Sequence, residues 1–195
     1  MSSSSLSSSS SSSVLSSRRI QEGNGNPPLT GMLLGLQQLE KRTCNHTQLL
    51  QVPSIIDIVG CDITIDDIQS TKRELLNQRF DLKMDVNNNQ NVPTHFGAVT
   101  PLEHFCTKGN LLIVRLLFLI GGDCTKLRGN NLFPMLVAAE QGHLDICKWL
   151  FEYGGDAKYQ INKETIAGVT PLWESYDAWH YGIDKEGKTC RWLLR

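Results

Sequence analysis

From residue 32 onward, apolar side chains recur at spacings that predict a series of short helices. "MLLGLQQLEKR" sets Leu33, Leu34, Leu36 and Leu39 at the spacing of an amphipathic helix from Met32, resumed at 48–51. Two helix starts follow, Ser54-x-x-Asp57 after Pro53 and Thr64-x-x-Asp67. In each, a hydroxyl and a carboxylate three residues apart satisfy free N-terminal amides, so a short helix and a longer one are expected. The alternation Asp62-Ile63-Thr64-Ile65 also suits a strand. An Asn-rich turn region, 85–97, comes next. Beyond it Pro101 stands where a first helical residue loses nothing by lacking its N–H, and Gly109 ends that helix. "LLIVRLLFLI" starts a second helix with its stripe at Leu111, Val114, Leu117 and Ile120, widened by Ile113 and Leu116. Gly121-Gly122 stops it through backbone angles only glycine takes freely.

This grammar repeats. Gly109 recurs as Gly142, Leu117 as Leu150, and Gly121-Gly122-Asp123 as Gly154-Gly155-Asp156, each 33 residues on. A third unit opens at Thr170-Pro171-Leu172, with Pro171 displaced 37 residues from Pro134. Its "CRWLL" at 190–194 matches "CKWLF" at 147–151, so extra residues separate its two helices. Thr100-Pro101-Leu102, Gly142-His143 and the two Gly-Gly-Asp endings make residues 93–195 resemble the ankyrin repeat, a β-turn plus two antiparallel helices. The units run at about 97–128, 129–166 and 167–195. The usual His after Thr-Pro-Leu is replaced by Glu103, Leu136 and Trp173, and the second unit has Phe133 where Thr is usual. The expected fold is an all-α, ankyrin-like helical repeat solenoid. Residues 32–92 then form an irregular helical segment, an N-terminal cap or a degenerate repeat ending at Asp85-Val86-Asn87.

Composition changes this picture mainly at the N-terminus. The first seventeen residues hold thirteen serines, and with the linker to residue 31 they are expected to be a disordered tail. Its acid-free start and Arg18-Arg19 leave an organelle transit peptide as the alternative to a cytoplasmic or nuclear location. Residues 97–195 carry eleven acidic and eleven basic side chains, which excludes a broad cationic footprint for nucleic acid. The longest apolar run, 111–120, is half the roughly 20 residues a membrane span needs. Six cysteines at 44, 61, 106, 124, 147 and 190 form no C-x-x-C pair and read as reduced, packed thiols. The sequon Asn45-His46-Thr47 adds nothing without a secretory route.

Three local patterns suggest chemistry. "GIDKEGKT", 182–189, has the spacing of a phosphate-binding loop, which would make the protein a nucleotide hydrolase through Lys188 and Thr189. That loop needs a preceding buried strand, whereas "ESYDAWHY" continues a helix, and Asp184 and Glu186 bring negative charge. His104-x-Cys106 and Cys44-x-His46 carry metal-ligand residue types, but His104 and Cys106, two apart on a helix, point in opposing directions and cannot share a metal. No cofactor or metal is expected. "VPSIIDIVGCDITIDDI" is faintly similar to the opening of an F-box, which implies an adaptor that hands clients to a ubiquitin ligase. The ankyrin resemblance implies instead a monomeric, non-catalytic module that binds another protein on a concave surface of first-helix faces and turn tips. By that resemblance the contacts are Thr107, Lys108, Glu140, Gln141 and Asp177, with tips at Lys126, Arg128, Asn130 and Tyr159. Trp149 and Trp192 align with Leu116 as core, while Trp173 and Trp179 suit either an end cover or a ligand contact.

Overall fold

The computed structural model describes residues 31–44, 55–92 and 97–195. The Ser-rich tail, the sequon, His46, the helix resumption at 48–51 and Ser54 lie outside these residues. The described helices are α1 (Met32–Cys44), α2 (Ile55–Val59), α3 (Ile65–Asn77), α4 (Pro101–Lys108), α5 (Leu111–Leu119), α6 (Pro134–Glu140), α7 (Leu144–Tyr153), α8 (Pro171–His180) and α9 (Lys188–Leu193). Two 3-10 turns, Gly129–Asn131 and Gly155–Gln160, follow the second helices. Among the described residues there is no strand, only the isolated bridges Gln90 with Val99 and Arg128 with Leu132. The alternation at 62–65 therefore does not become a strand. Thr64 caps α3 instead: its hydroxyl accepts from the Asp67 N–H at 3.2 Å while the Thr64 N–H donates to the Asp67 carboxylate at 2.9 Å.

Helix boundaries in the repeats follow from local chemistry. The Thr100 hydroxyl accepts from the Glu103 N–H, and the Asn110 side chain accepts from the Ile113 N–H, so α4 and α5 are each capped by their own sequence. Phe133, in place of the usual Thr, makes no side-chain cap and is wholly buried, exchanging a hydrogen bond for core packing. Gly109 takes φ +75° and lies where an added Cβ would sit 2.5 Å from the His143 ring, so both the turn and the neighbouring repeat require glycine.

The helices form two rows. α4, α6 and α8 pack side by side as an inner row; α3, α5, α7 and α9 form an outer row. Ile113, Val114, Leu116 and Leu117 on α5 are buried, as are Ile146, Cys147, Trp149 and Leu150 at the same positions on α7. The 33-residue period is thus a period of core positions. Each such side chain contributes about 1.5–3 kcal/mol on burial. Cys106, Cys124 and Cys147 are buried free thiols, and burial pushes Cys147 up to about 12.

α1 and α2 lie along the outer row. α1 runs antiparallel to α3: Leu33 N–H donates to the Leu82 carbonyl, and Glu40 pairs with Lys72 at 2.8 Å. α1 also reaches α5, because Gly35 has no side chain and Ile120 fills the space its Cβ would take. Farther along, α2 meets α7, where the Trp149 indole N–H donates to the Val59 carbonyl at 3.0 Å. This segment accordingly spans three successive outer helices. It explains why α5, "LLIVRLLFL", is apolar nearly all round rather than along one stripe. Replacing Trp149 by Phe keeps the packing but leaves the Val59 carbonyl buried and unpaired. We expect a loss of about 1–2 kcal/mol in urea unfolding, with amide exchange accelerating first at 55–60.

Phe80, just past α3, joins the rows at one end by packing edge-on to His104 and against Phe105. His104 is buried in α4, and burial, aided by Lys108 and opposed by Glu74, lowers its pKa to about 4. The unfolded chain, with a normal imidazole near 6.5, takes up the proton first as pH falls. His104 therefore contributes stability that is full above pH about 6.5 and is lost on the way down to about 4. Urea midpoints between pH about 7 and 5 should fall in the native chain and flatten in His104→Phe.

Candidate functional site: the inner-helix face

The face offered by the inner row is built at the C-terminal ends of α4 and α6 and along α8. Thr107 and Lys108 close α4; Glu140 and Gln141 close α6; Asp177 stands in the corresponding place on α8. Lys108 is exposed, and Thr107, Glu140, Gln141 and Asp177 are half-buried. Thr107 is held on both sides. Its hydroxyl donates to the Glu103 carbonyl at 3.1 Å, and its own carbonyl lies 3.1 Å from His143 Nε2, an N–H donor in the tautomer this acceptor demands.

The expected turn-tip residues divide by environment. Lys126 donates through Nζ to the Asn87 carbonyl, tying one turn to the previous one. Arg128 is drawn inward: its Nε donates to Glu103 Oε1 at 2.8 Å, with both side chains largely buried. Asn130 is exposed with φ +63°, and its carbonyl accepts from the Ile166 N–H of the next turn. Tyr159 is exposed, with Lys158 Nζ 4.9 Å from its ring centre. Trp179 is half-exposed at the far end of α8, its ring against Gly187.

The structure brings together a charged row that the sequence pattern does not reveal. Burial raises the carboxyl of Glu103, and Arg128 opposes that rise. Burial likewise raises Glu140, again against Arg128. Glu174 on α8 is raised by burial and then by its neighbours Glu140 and Asp177, both negative. Glu103, Arg128, Glu140, Glu174 and Asp177 thus follow one another from α4 to α8. Glu103 was legible as a departure from the usual His; Glu174 carries no signal beyond standing next to Trp173.

Residues 68–164 match the family model for ankyrin repeats, described as three copies. The chain belongs to the ankyrin-repeat family. No curated protein matches it. The ankyrin match begins inside α3, runs through α7 and ends before α8, whereas the resemblance at Thr-Pro-Leu and Gly-Gly-Asp covered 93–195. α8 departs because it is three residues longer than α6, ten against seven, and a loop at 181–187 precedes α9.

That loop contains the phosphate-loop spacing, and its geometry belongs to the ankyrin stack. Asp184 Cβ comes within 2.8 Å of the place a Gly142 Cβ would take, as the His143 ring does at Gly109 one repeat earlier. From there its carboxylate accepts the Thr189 N–H at 2.8 Å. Burial opposes ionisation of Asp184, but hydrogen bonds from the Thr189, Lys188 and Glu186 backbone outweigh it and lower the pKa. An internal carboxylate thus takes the amides a phosphate would use, Thr189 is buried, and Lys188 pairs with Glu186 at 2.8 Å. Among the described residues no group of acids, histidines and cysteines is placed to hold a metal. Asp184→Ala should cost about 0.5–1.5 kcal/mol by removing the acceptor of the Thr189 N–H in the first turn of α9, and millimolar magnesium-ATP should leave the native melting temperature unchanged.

Proposed function

We propose that this protein is a non-catalytic interaction module that binds a partner protein through the inner-helix face of its ankyrin stack. One observation carries the reading: α1 and α2 cover the outer row at α3, α5 and α7, whereas at the inner ends Lys108 is exposed and Glu140, Gln141 and Asp177 are only half-buried. Ankyrin repeats are generally protein-interaction modules, and this arrangement directs the interaction to one side. The solvent-accessible parts of these side chains can serve recognition.

In this reading α3 is the outer helix of a further, degenerate unit. Asp85 accepts from the Asn87 N–H at 2.7 Å just as Asp123 accepts from the Thr125 N–H at 2.8 Å, and Val86, Cys124 and Ala157 are all buried behind these turns. α8 and α9 form the unit that follows α6 and α7. The adaptor alternative at 52–80 gains no support, since α2 and α3 bury Val59, Ile68 and Leu75 within the molecule. Free, buried thiols suit a reducing cytoplasm or nucleus, and no described helix is long and apolar enough to cross a membrane.

Affinity capture from native lysate, with Lys108, Glu140 and Gln141 all replaced by alanine as the comparison, tests the assignment. A partner that binds the native chain and is lost from the triple variant, with an unchanged melting temperature, is the expected result. Equal recovery by both would move the site off this face.

A further inference from the structure

α8 is an inner helix with one side unpartnered. In α6, residues 134–139 are all buried between α4 and α8, whereas α8 buries only Pro171, Ser175 and Ala178. Trp173 is 60% exposed and Tyr176 50%, and with His180 they follow one helical stripe at i, i+3 and i+7. Tyr176 stacks on His180 with planes 5° apart, and Trp179 meets Tyr176 edge-on at 6.2 Å. Tyr176, Trp179 and His180 form a connected group of exposed rings, and Trp173 stands one turn before them on the same helix.

The repeat register bears on what can sit there. Counting from Pro101, Pro134 and Pro171, Tyr176 occupies the position of Cys106 and Ala139. Those two are small and fully buried, in helices that each have a further inner helix beside them. A tyrosine there keeps another helix from approaching as closely. The face therefore suits a thin, extended segment better than one more repeat or the same face of a second copy. Its charge selects further. Glu174 and Asp177 flank the rings, and Glu140 approaches from α6, so carboxylates and ring faces both favour cations.

We propose that the α8 face binds an extended, arginine- and lysine-bearing segment of a partner protein, its cationic groups lying over Trp173 and Tyr176 and pairing with Glu174 and Asp177. This names the partner chemistry at the α8 end of the inner-helix face and rests on the reading of that face as a protein-binding surface. Arginine serves best, since its planar head stacks on a ring while donating to a carboxylate.

Fluorescence anisotropy of full-length protein with a labelled octa-arginine peptide tests it, with octa-citrulline and octa-glutamate as comparison peptides. Trp173→Ala, and Glu174→Gln with Asp177→Asn, should each weaken octa-arginine binding about tenfold or more. Asp145→Asn with Glu152→Gln, exposed acids on α7, should leave it within about twofold and so separates this site from general attraction to an acidic surface. Trp173 is exposed enough to remove without emptying the core, and unchanged melting temperatures check that. Octa-citrulline binding as tight as octa-arginine, or equal weakening by the α7 variant, would overturn the proposal, as would concentration-dependent self-association abolished by Trp173→Ala. Amide shifts induced by octa-arginine at Thr107, Lys108 and Gln141 but not on α8 would sink this inference and leave the broader face assignment standing. Loss of the broader assignment is read separately, from lysate capture by the alanine variant.

Discussion

Ala138 and Ala139 set the spacing on which the rest of the stack depends. Both are fully exposed to neighbouring helices and to no solvent, in the central inner helix between α4 and α8. A repeat of this kind cannot cover its own faces, so its stability comes from the contact with the next one. Small side chains let the inner helices approach, and that approach brings the turns into reach of one another. Asn87 then bonds both the Gly121 carbonyl and the Asp123 N–H, and Gln160 donates to the Thr125 carbonyl. His143 reaches Thr107 for the same reason. These links are consequences of packing distance; a bulkier pair at 138 and 139 would separate all of them together.

The same dependence gives Asp184 its role. In an isolated loop, a carboxylate between two glycines and ahead of Lys-Thr carries no instruction. Seated beside Gly142 by the stack, it lies at the start of α9 and satisfies amides that have no partner within their own helix. A motif that reads as phosphate binding is in this setting a replacement for His143, adapted to a longer first helix.

Much of this architecture was legible because its signals are local. Pro101, Gly109, Thr100 and Asn110 act within four residues of where they stand, so α4 and α5 could be bounded from sequence alone. What was not legible depends on distant partners. Trp149 and Val59 are ninety residues apart, and nothing at either position announces the other. α3 lacks the Thr-Pro-Leu opening of an inner helix before it; the ending at Asp85-Val86-Asn87 suggests a degenerate repeat, and the packing on α5 sets α3 in the outer row. α5 has no polar face apart from Arg115, which by itself implies cover on a second side. At the inner-helix face, Glu140 and Asp177 could be located by register, but Glu103 and Arg128, 25 residues apart, could not be paired by it.

That pairing also limits how the face can be used. Arg128 is the cation that Glu103 and Glu140 both feel, and its guanidinium is mostly enclosed. A buried ion pair of this sort contributes little net stability, yet loss of either member leaves the other as an uncompensated buried charge. Arg128 is therefore committed to holding α4, its turn and α6 in one arrangement and has little freedom to greet a partner. Its influence fades toward α8, where Glu174 feels Glu140 and Asp177 instead. Negative potential thus grows along the face from α4 to α8, in the direction in which ring surface also increases. A partner that answers both gradients would be oriented along the stack as well as held by it, because reversing it would set its cations beside Arg128 and Lys108.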